Sequence, residues 1–269
     1  MSPQWRDELR AWVAPHEIRL VRVARGVRPS CVAEVTHAVR GPGVDWHEAL
    51  ADFCTLLDDR KWRAPLVRVV VSDLWARYAI VPWSDQLTNE DERLAHARIC
   101  LCDTYGSTDD AWRICLSDSG FGKSRVACAV PEALLAALTA ALAPLGMRLA
   151  SVRPCLISKY NEWRQRLPQD SAWFVSVEEG SLAAARLVPD GWDRVYVARI
   201  GADWTRELLR LRTFARMAAM AGDNGRVFIH APARLRRLAR TSDPGIEWLG
   251  PADEADASRA VAKPVGVPG

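Results

Sequence analysis

The residues most able to do chemistry are in the run Ser117-Asp118-Ser119-Gly120-Phe121-Gly122-Lys123-Ser124, which ends like a phosphate-binding loop. In such a loop, backbone N–H groups and a lysine cradle phosphates while a hydroxyl reaches magnesium. The pattern requires glycine at position 117, where this chain has Ser, and a helix straight after the loop with its N-terminus facing the phosphate. The next residues, Arg125-Val126-Ala127-Cys128-Ala129-Val130-Pro131, alternate and end in proline. They read as a strand, so the loop is expected to be a hairpin turn.

Histidines stand at 16, 37, 47, 96 and 230, and none completes a nucleophile elbow or an H-E-x-x-H pair. Catalytic triads are built in space, so sequence leaves that arrangement open. His47-Glu48 has no second His four residues on and reads as a helix-surface pair, whereas His230 ends the last strand of the second half as a capping or turn residue. Glu178-Glu179 could serve as acid and base, but neighbours on a strand point to opposite faces, and turn polarity explains them. The cysteines lie at 31, 54, 100, 102, 115, 128 and 155, and the lone C-x-C at 100–102 makes a poor zinc site. Most sit within apolar runs and read as small core residues of a reducing compartment. No catalytic residue and no metal ligand is assigned.

Several elements could position these groups. Short alternating strands open each half: Leu9–Ala14, Ile18–Arg25 and Cys31–Val39, then Ala172–Val177, Ser181–Val188 and Asp193–Ile200. A helix comes after each set behind a capping aspartate. Asp45 precedes Trp46–Arg60, with Ala49, Leu50, Phe53, Leu56 and Leu57 at helical spacing; Asp203 precedes Trp204–Met220, with Leu208, Leu211, Phe214 and Ala215 on one face. A buried strand closes each unit, Leu66–Val71 and Val227–Ala231. The result is βββαβ twice, at a spacing of about 160 residues, with Ala11-Trp12-Val13 matching Ala172-Trp173-Phe174. Between the units, Trp75–Val81 is expected to pair with Leu66–Val71 through Ser72-Asp73; a helix is read from Asn89 to Cys102, and another from Glu132 to Leu145. Mixed sheets covered by helices make the class α/β. The domains are read as 1–168, a first lobe with an inserted subdomain at about 72–130, then 169–250, a shortened second lobe, and a loose tail at 251–269.

Composition excludes some roles. With 49% hydrophobic and 26% charged residues the chain is an ordinary globular one, and its net charge of +3, evenly interspersed, argues against a nucleic-acid partner. The basic run Arg234–Arg240 reads as a solvated helix face. No apolar signal segment and no membrane span is read, so a cytoplasmic location is expected, without direct membrane insertion. Most of the 12 tryptophans are expected in the core.

The duplicated βββαβ unit with an insertion in its first copy resembles the actin-like (RNase H-like) superfamily. In particular it resembles the pilus-assembly M proteins and the cytoplasmic parts of type II secretion L proteins. The residues that carry the likeness are Val69-Val70-Val71-Ser72 leading into Arg77–Trp83, Ala129-Val130-Pro131 before a helix ending at Gly146, and Arg199-Ile200-Gly201-Ala202-Asp203-Trp204-Thr205. In ATP-binding members each copy's first hairpin carries Asp-x-Gly, the glycine admitting phosphate and the carboxylate positioning magnesium or water. Here the first hairpin, Trp12-Val13-Ala14-Pro15-His16-Glu17, has neither, and Pro15 lacks an N–H. The resemblance therefore implies at most a vestigial nucleotide site at Glu178, Glu179, Gly180, Ser181, Gly201 and Asp203, with ATP and magnesium not expected as cofactors. Little sequence remains after Ala231 to cover an adenine. The implied function is a non-catalytic scaffold or adaptor, a pseudo-ATPase of a type IV pilus-like or type II secretion-like assembly machine. It would lie at the inner membrane's cytoplasmic face and bind the cytoplasmic segment of a bitopic inner-membrane protein; self-association is left open. The alternative is an active nucleotide-binding actin-like ATPase or kinase relative.

Overall fold

The computed structural model describes residues 7–24, 29–39, 44–106, 111–201, 203–220, 225–239 and 243–250. The first lobe begins with a meander of β1 (Glu8–Val13), β2 (Glu17–Ala24) and β3 (Ser30–Ala38), followed by α1 (Trp46–Leu57) and β4 (Leu66–Val71). Asp45 accepts the His47 amide hydrogen at the start of α1, and Ala49, Phe53 and Leu57, at i, i+4 and i+8, bury the helix on the sheet. The insertion holds β5 (Arg77–Val81), α2 (Glu90–Tyr105), β6 (Trp112–Leu116) and β7 (Arg125–Pro131). It leads through α3 (Glu132–Leu142) to β8 (Arg148–Pro154) and α4 (Cys155–Trp163). The second lobe repeats the meander as β9 (Ala172–Glu178), β10 (Ser181–Val188) and β11 (Gly191–Arg199). Then come α5 (Thr205–Met220), β12 (Val227–His230), α6 (Ala233–Leu238) and β13 (Ile246–Leu249).

The two main sheets share one topology. Their orders are β3-β2-β1-β4-β8 and β11-β10-β9-β12-β13, five strands each, beside a three-stranded sheet β5-β7-β6. In both, an antiparallel meander joins strands that run parallel to β1 or β9. This pseudo-symmetry sets the true register of the repeat. Leu9 lies opposite Val67 and Trp173 opposite Val227, while Val13 pairs with Ile18 and Val177 with Leu182. Leu9, not Trp12, is therefore the counterpart of Trp173, and the matching Ala-Trp dipeptides are coincidence.

Three further expectations change. Trp75–Val81 does not pair with β4, because β1 and β8 occupy both edges of β4. Ser72 caps a 3-10 turn over Asp73–Trp75 that redirects the chain, and β5 pairs instead with β7, Tyr78 opposite Cys128. β12 takes the place of β4, but α6 and β13 come after it where no element was expected, making β13 the counterpart of β8 and His230 the end of an interior strand. A four-residue strand is too short to stand out by periodicity. Phe214, placed by spacing on the buried face of α5, is 46% exposed; Leu208, Leu211 and Ala215 form the stripe without it.

The run 117–124 is a hairpin connection, with Cys115 opposite Cys128 and Ser117 donating its amide to the Val126 carbonyl at 2.9 Å, so no helix succeeds it. Cys155 is buried, but Cys31, Cys102 and Cys115 are exposed, since strand alternation turns Cys115 outward from an apolar run. Of the described tryptophans none is exposed, and Trp62, Trp75, Trp173, Trp192 and Trp204 are fully buried. Within the basic run, Arg234 and Arg237 of α6 are solvated and Arg240 lies outside the described residues, as does the tail 251–269.

β9 shows why the second lobe has a continuous core. It is buried on both faces, so it reads as an apolar run rather than an alternation. Ala172 and Phe174 join a cluster containing the first lobe's Leu9, Phe53 and Leu138, whereas Trp173, Val175 and Val177 pack with Trp204, Leu208 and Leu211. Each fully buried side chain of this size contributes about 1.5–3 kcal/mol.

Candidate functional site: the junction between the lobes

Where the two meander hairpins meet, the chain builds a polar cluster inside an apolar frame. The first hairpin turns at Pro15 and His16, with the Ala14 amide donating to the Glu17 carbonyl at 3.0 Å. The second turns at Glu179 and Gly180, the glycine at φ +84°, a backbone region that disfavours a side chain. The two tips touch. A Cβ placed on Gly180 would lie 2.6 Å from Cδ2 and 2.8 Å from Nε2 of His16.

Glu178 ends β9 and Glu179 stands in the turn, and the two take different partners. Glu179 forms an ion pair with Arg234 of α6. Glu178 turns across the junction: its Oε1 accepts from the Ser72 hydroxyl at 2.5 Å, the Asp73 amide at 2.9 Å and the Ser181 hydroxyl at 2.6 Å. Asp73 continues the network. Its Oδ1 accepts from the Tyr78 hydroxyl at 2.5 Å, and both its oxygens receive the Leu156 amide, at 3.0 and 2.9 Å, so the carboxyl caps α4. The Ser72 amide in turn donates to the Val13 carbonyl at 3.1 Å, tying in the first hairpin. Glu178 thus links the end of β4, the start of β5, the head of α4 and the β9–β10 turn.

Burial governs the electrostatics. Asp73 is 1% exposed, and burial followed by the nearby Glu178 carboxyl pushes it up to about 8, against the opposing donation from Tyr78 and Leu156. Glu178 is also raised, by burial first, with its three donors pulling the other way. Burial raises Tyr78 well above the ordinary phenol range, with the Asp73 carboxyl second, and raises the Cys155 thiol, which lies 3.5 Å from the Ser176 hydroxyl. At neutral pH, Asp73 is held as a neutral acid. A raised carboxyl is a common mark of acid–base catalysis, but Ser72 and Asp73 are each 1% exposed, closed off from any substrate.

Of the residues singled out from sequence, Glu178, Gly180 and Ser181 do meet here, and Glu179 flanks them. The Ile200 amide donates to the Gly180 carbonyl at 2.9 Å, which brings the strand end before Gly201 alongside. Gly201 is exposed with open space around it, and Asp203 accepts the Thr205 amide hydrogen at 3.1 Å as the cap of α5. Sequence reasoning missed Ser72, Asp73 and Tyr78 as partners. A usable signal existed: Ser72-Asp73 stands just past the carboxyl end of a parallel strand, where α/β sheets open their crevices. His230, half-buried and held well below the ordinary imidazole range by desolvation, accepts the Trp163 indole N–H at 3.2 Å and joins α4 to β12.

The amino-acid sequence matches no protein-family model and no curated protein sequence. Solved structures are similar along nearly the whole chain. A PilM–PilN type IV pilus biogenesis complex aligns with TM-score 0.66 and 17% identity over 95% of this chain and 96% of that one. A Bacteroides thetaiotaomicron protein with an actin-like ATPase fold and unknown function aligns with TM-score 0.61 and 10% identity, over 97% and 98%. This chain has an actin-like fold. The cytoplasmic domain of EpsL, an inner-membrane component of the Vibrio cholerae type II secretion system, aligns with TM-score 0.53 and 14% identity over 96% of each chain. The actin-like fold implies a nucleotide with magnesium between the hairpins. The residues present do not fit one: the space against Gly180 that a phosphate would need is taken by the His16 ring, and the neighbouring donors, the Ser72 and Ser181 hydroxyls and the Asp73 amide, are already taken up by the Glu178 carboxyl. Among the described residues, no helix is long and apolar enough to cross a membrane.

Proposed function

We propose that this actin-like chain is a non-catalytic scaffold or adaptor of a type IV pilus-like or type II secretion-like assembly machine. In that role it binds the cytoplasmic segment of a bitopic membrane protein. The observation that carries the non-catalytic part is the contact of His16 with Gly180, 2.6 Å from where a Cβ would stand. Glu178, Gly180 and Ser181 then serve as a fastener between lobes, with Gly201 and Asp203 forming the entry to α5, in place of a phosphate cradle. The assembly role is supported by likeness of fold, over nearly the full chain, to one protein seen in a pilus biogenesis complex and another from a secretion system's inner-membrane component.

The competing reading is a working nucleotide-binding ATPase, and a thermal shift separates the two. A ligand that binds only the folded state raises its melting temperature by mass action. Millimolar Mg-ATP is expected to leave Tm unchanged, and a reproducible rise would sink the non-catalytic reading. For the partner, the cytosolic tail of a co-encoded single-span membrane protein should be retained by the purified chain at micromolar concentration. Absence of retention would count against the adaptor role.

A further inference from the structure

A second feature lies on the opposite face of β9 from Glu178. Arg194 of β11, Arg186 of β10 and Trp173 of β9 stand directly opposite one another across the three strands, forming one transverse row. Directly opposed residues on paired strands share a face. Phe214 and Met217 of α5, spaced i and i+3 and so neighbours on the helix, close over that row. The five side chains line a pocket of about 300 Å³.

Its chemistry is specific. Trp173 is 2% exposed, yet its indole Nε1–H is buried without a hydrogen-bond partner, which native interiors rarely leave so. Arg186 is paired with Asp193 at 2.9 Å, so that charge is balanced locally. Arg194 is exposed and makes no ion pair among the described residues. The roof is apolar and open: Phe214 is 46% and Met217 63% exposed.

We propose that this pocket seats an acidic–apolar peptide segment. A Glu or Asp side chain meets the Arg194 guanidinium beside the Trp173 ring, and the adjoining apolar side chain packs on Phe214 and Met217. A carboxylate is the acceptor that answers an exposed guanidinium. The site uses neither hairpin nor the junction between lobes.

The test uses full-length protein labelled with ¹⁵N at tryptophan, titrated with the capped peptide acetyl-Phe-Glu-Leu-amide and with its Gln counterpart at millimolar concentration. The Trp173 indole resonance is identified by its loss in Trp173→Phe. It should move on addition of the Glu peptide, with binding about tenfold weaker for the Gln peptide. In Arg194→Gln, the two peptides should become equivalent while the other indole resonances stay in place, showing an intact fold. No movement of the Trp173 resonance with either peptide overturns the proposal. So does an equal response to both peptides in the unsubstituted chain, or a Glu preference that survives Arg194→Gln.

Discussion

Glu178 holds three donors on one oxygen, so its removal should be costly out of proportion to its size. Glu178→Ala leaves the Ser72 and Ser181 hydroxyls and the Asp73 amide without an acceptor, and a loss of about 2–4 kcal/mol is expected in urea unfolding. Glu178→Gln keeps the accepting oxygen and should lose about 1 kcal/mol or less. Equal losses would show that the accepting oxygen by itself does not carry the stabilisation. Gly180→Ala sets a Cβ 2.6 Å from His16 at φ +84°, and should cost about 1–3 kcal/mol. His16→Ala in the same chain should recover the part due to collision, leaving the backbone strain. The pH dependence at Asp73 has a definite sign. Its carboxyl is raised to about 8 in the folded chain, against about 3.9 unfolded, so the native state holds the extra proton between those values. Stability from this group therefore falls as pH rises through that window. His230, lowered by burial, acts in the opposite sense below its ordinary value, so the comparison must be made against Asp73→Asn, in which His230 is unchanged. The stability difference between unsubstituted and Asp73→Asn protein should shift by about 1–2 kcal/mol toward the variant from mildly acidic to mildly basic pH. A flat difference would mean that Asp73 is already ionised.

At the scale of elements, the edge of the second sheet depends on one arginine. Arg212 of α5 grips Asp243 with two bonds of 2.8 Å and donates to the Gly225 carbonyl at 2.7 Å, while Asp243 also accepts the Gly245 amide just before β13. The Arg212 guanidinium holds Asp243 below the usual carboxylate range. Lysine cannot reproduce a planar two-bond grip. Arg212→Lys should cost about 2–4 kcal/mol, and hydrogen exchange should show β13 losing protection before β12. This edge is also where the sequence was least legible. The meanders, α1, α5 and the hairpin at 117–124 could all be read from apolar spacing, capping aspartates and a terminal proline. β13 is four residues long, and β5 carries a strand pattern that says nothing about its neighbour. Periodicity reports which face of a strand is buried; it does not name the strand alongside.

Across the whole molecule, one apolar cluster runs from Leu9, Phe53 and Leu138 of the first lobe to Phe174, Ala185, Trp192 and Phe228 of the second. Lobes that share a core should not unfold separately. A single calorimetric transition is expected, with calorimetric and van't Hoff enthalpies in agreement, in unsubstituted protein and in Glu178→Ala alike. Two resolved transitions in Glu178→Ala alone would show that the polar fastener, and not the shared core, couples the lobes, and two in the unsubstituted protein would show that the lobes unfold independently. From residues alone came the α/β class, the duplication, the actin-like resemblance and the absence of Asp-x-Gly from the first hairpin, because these rest on local pattern and on side-chain type. The tertiary structure alone decided that His16 fills the space against Gly180, that Glu178 reaches Ser72 and Asp73, and that Arg194 and Trp173 fall in one row. Each of those contacts joins segments far apart in the chain, and only folding sets the distance between them.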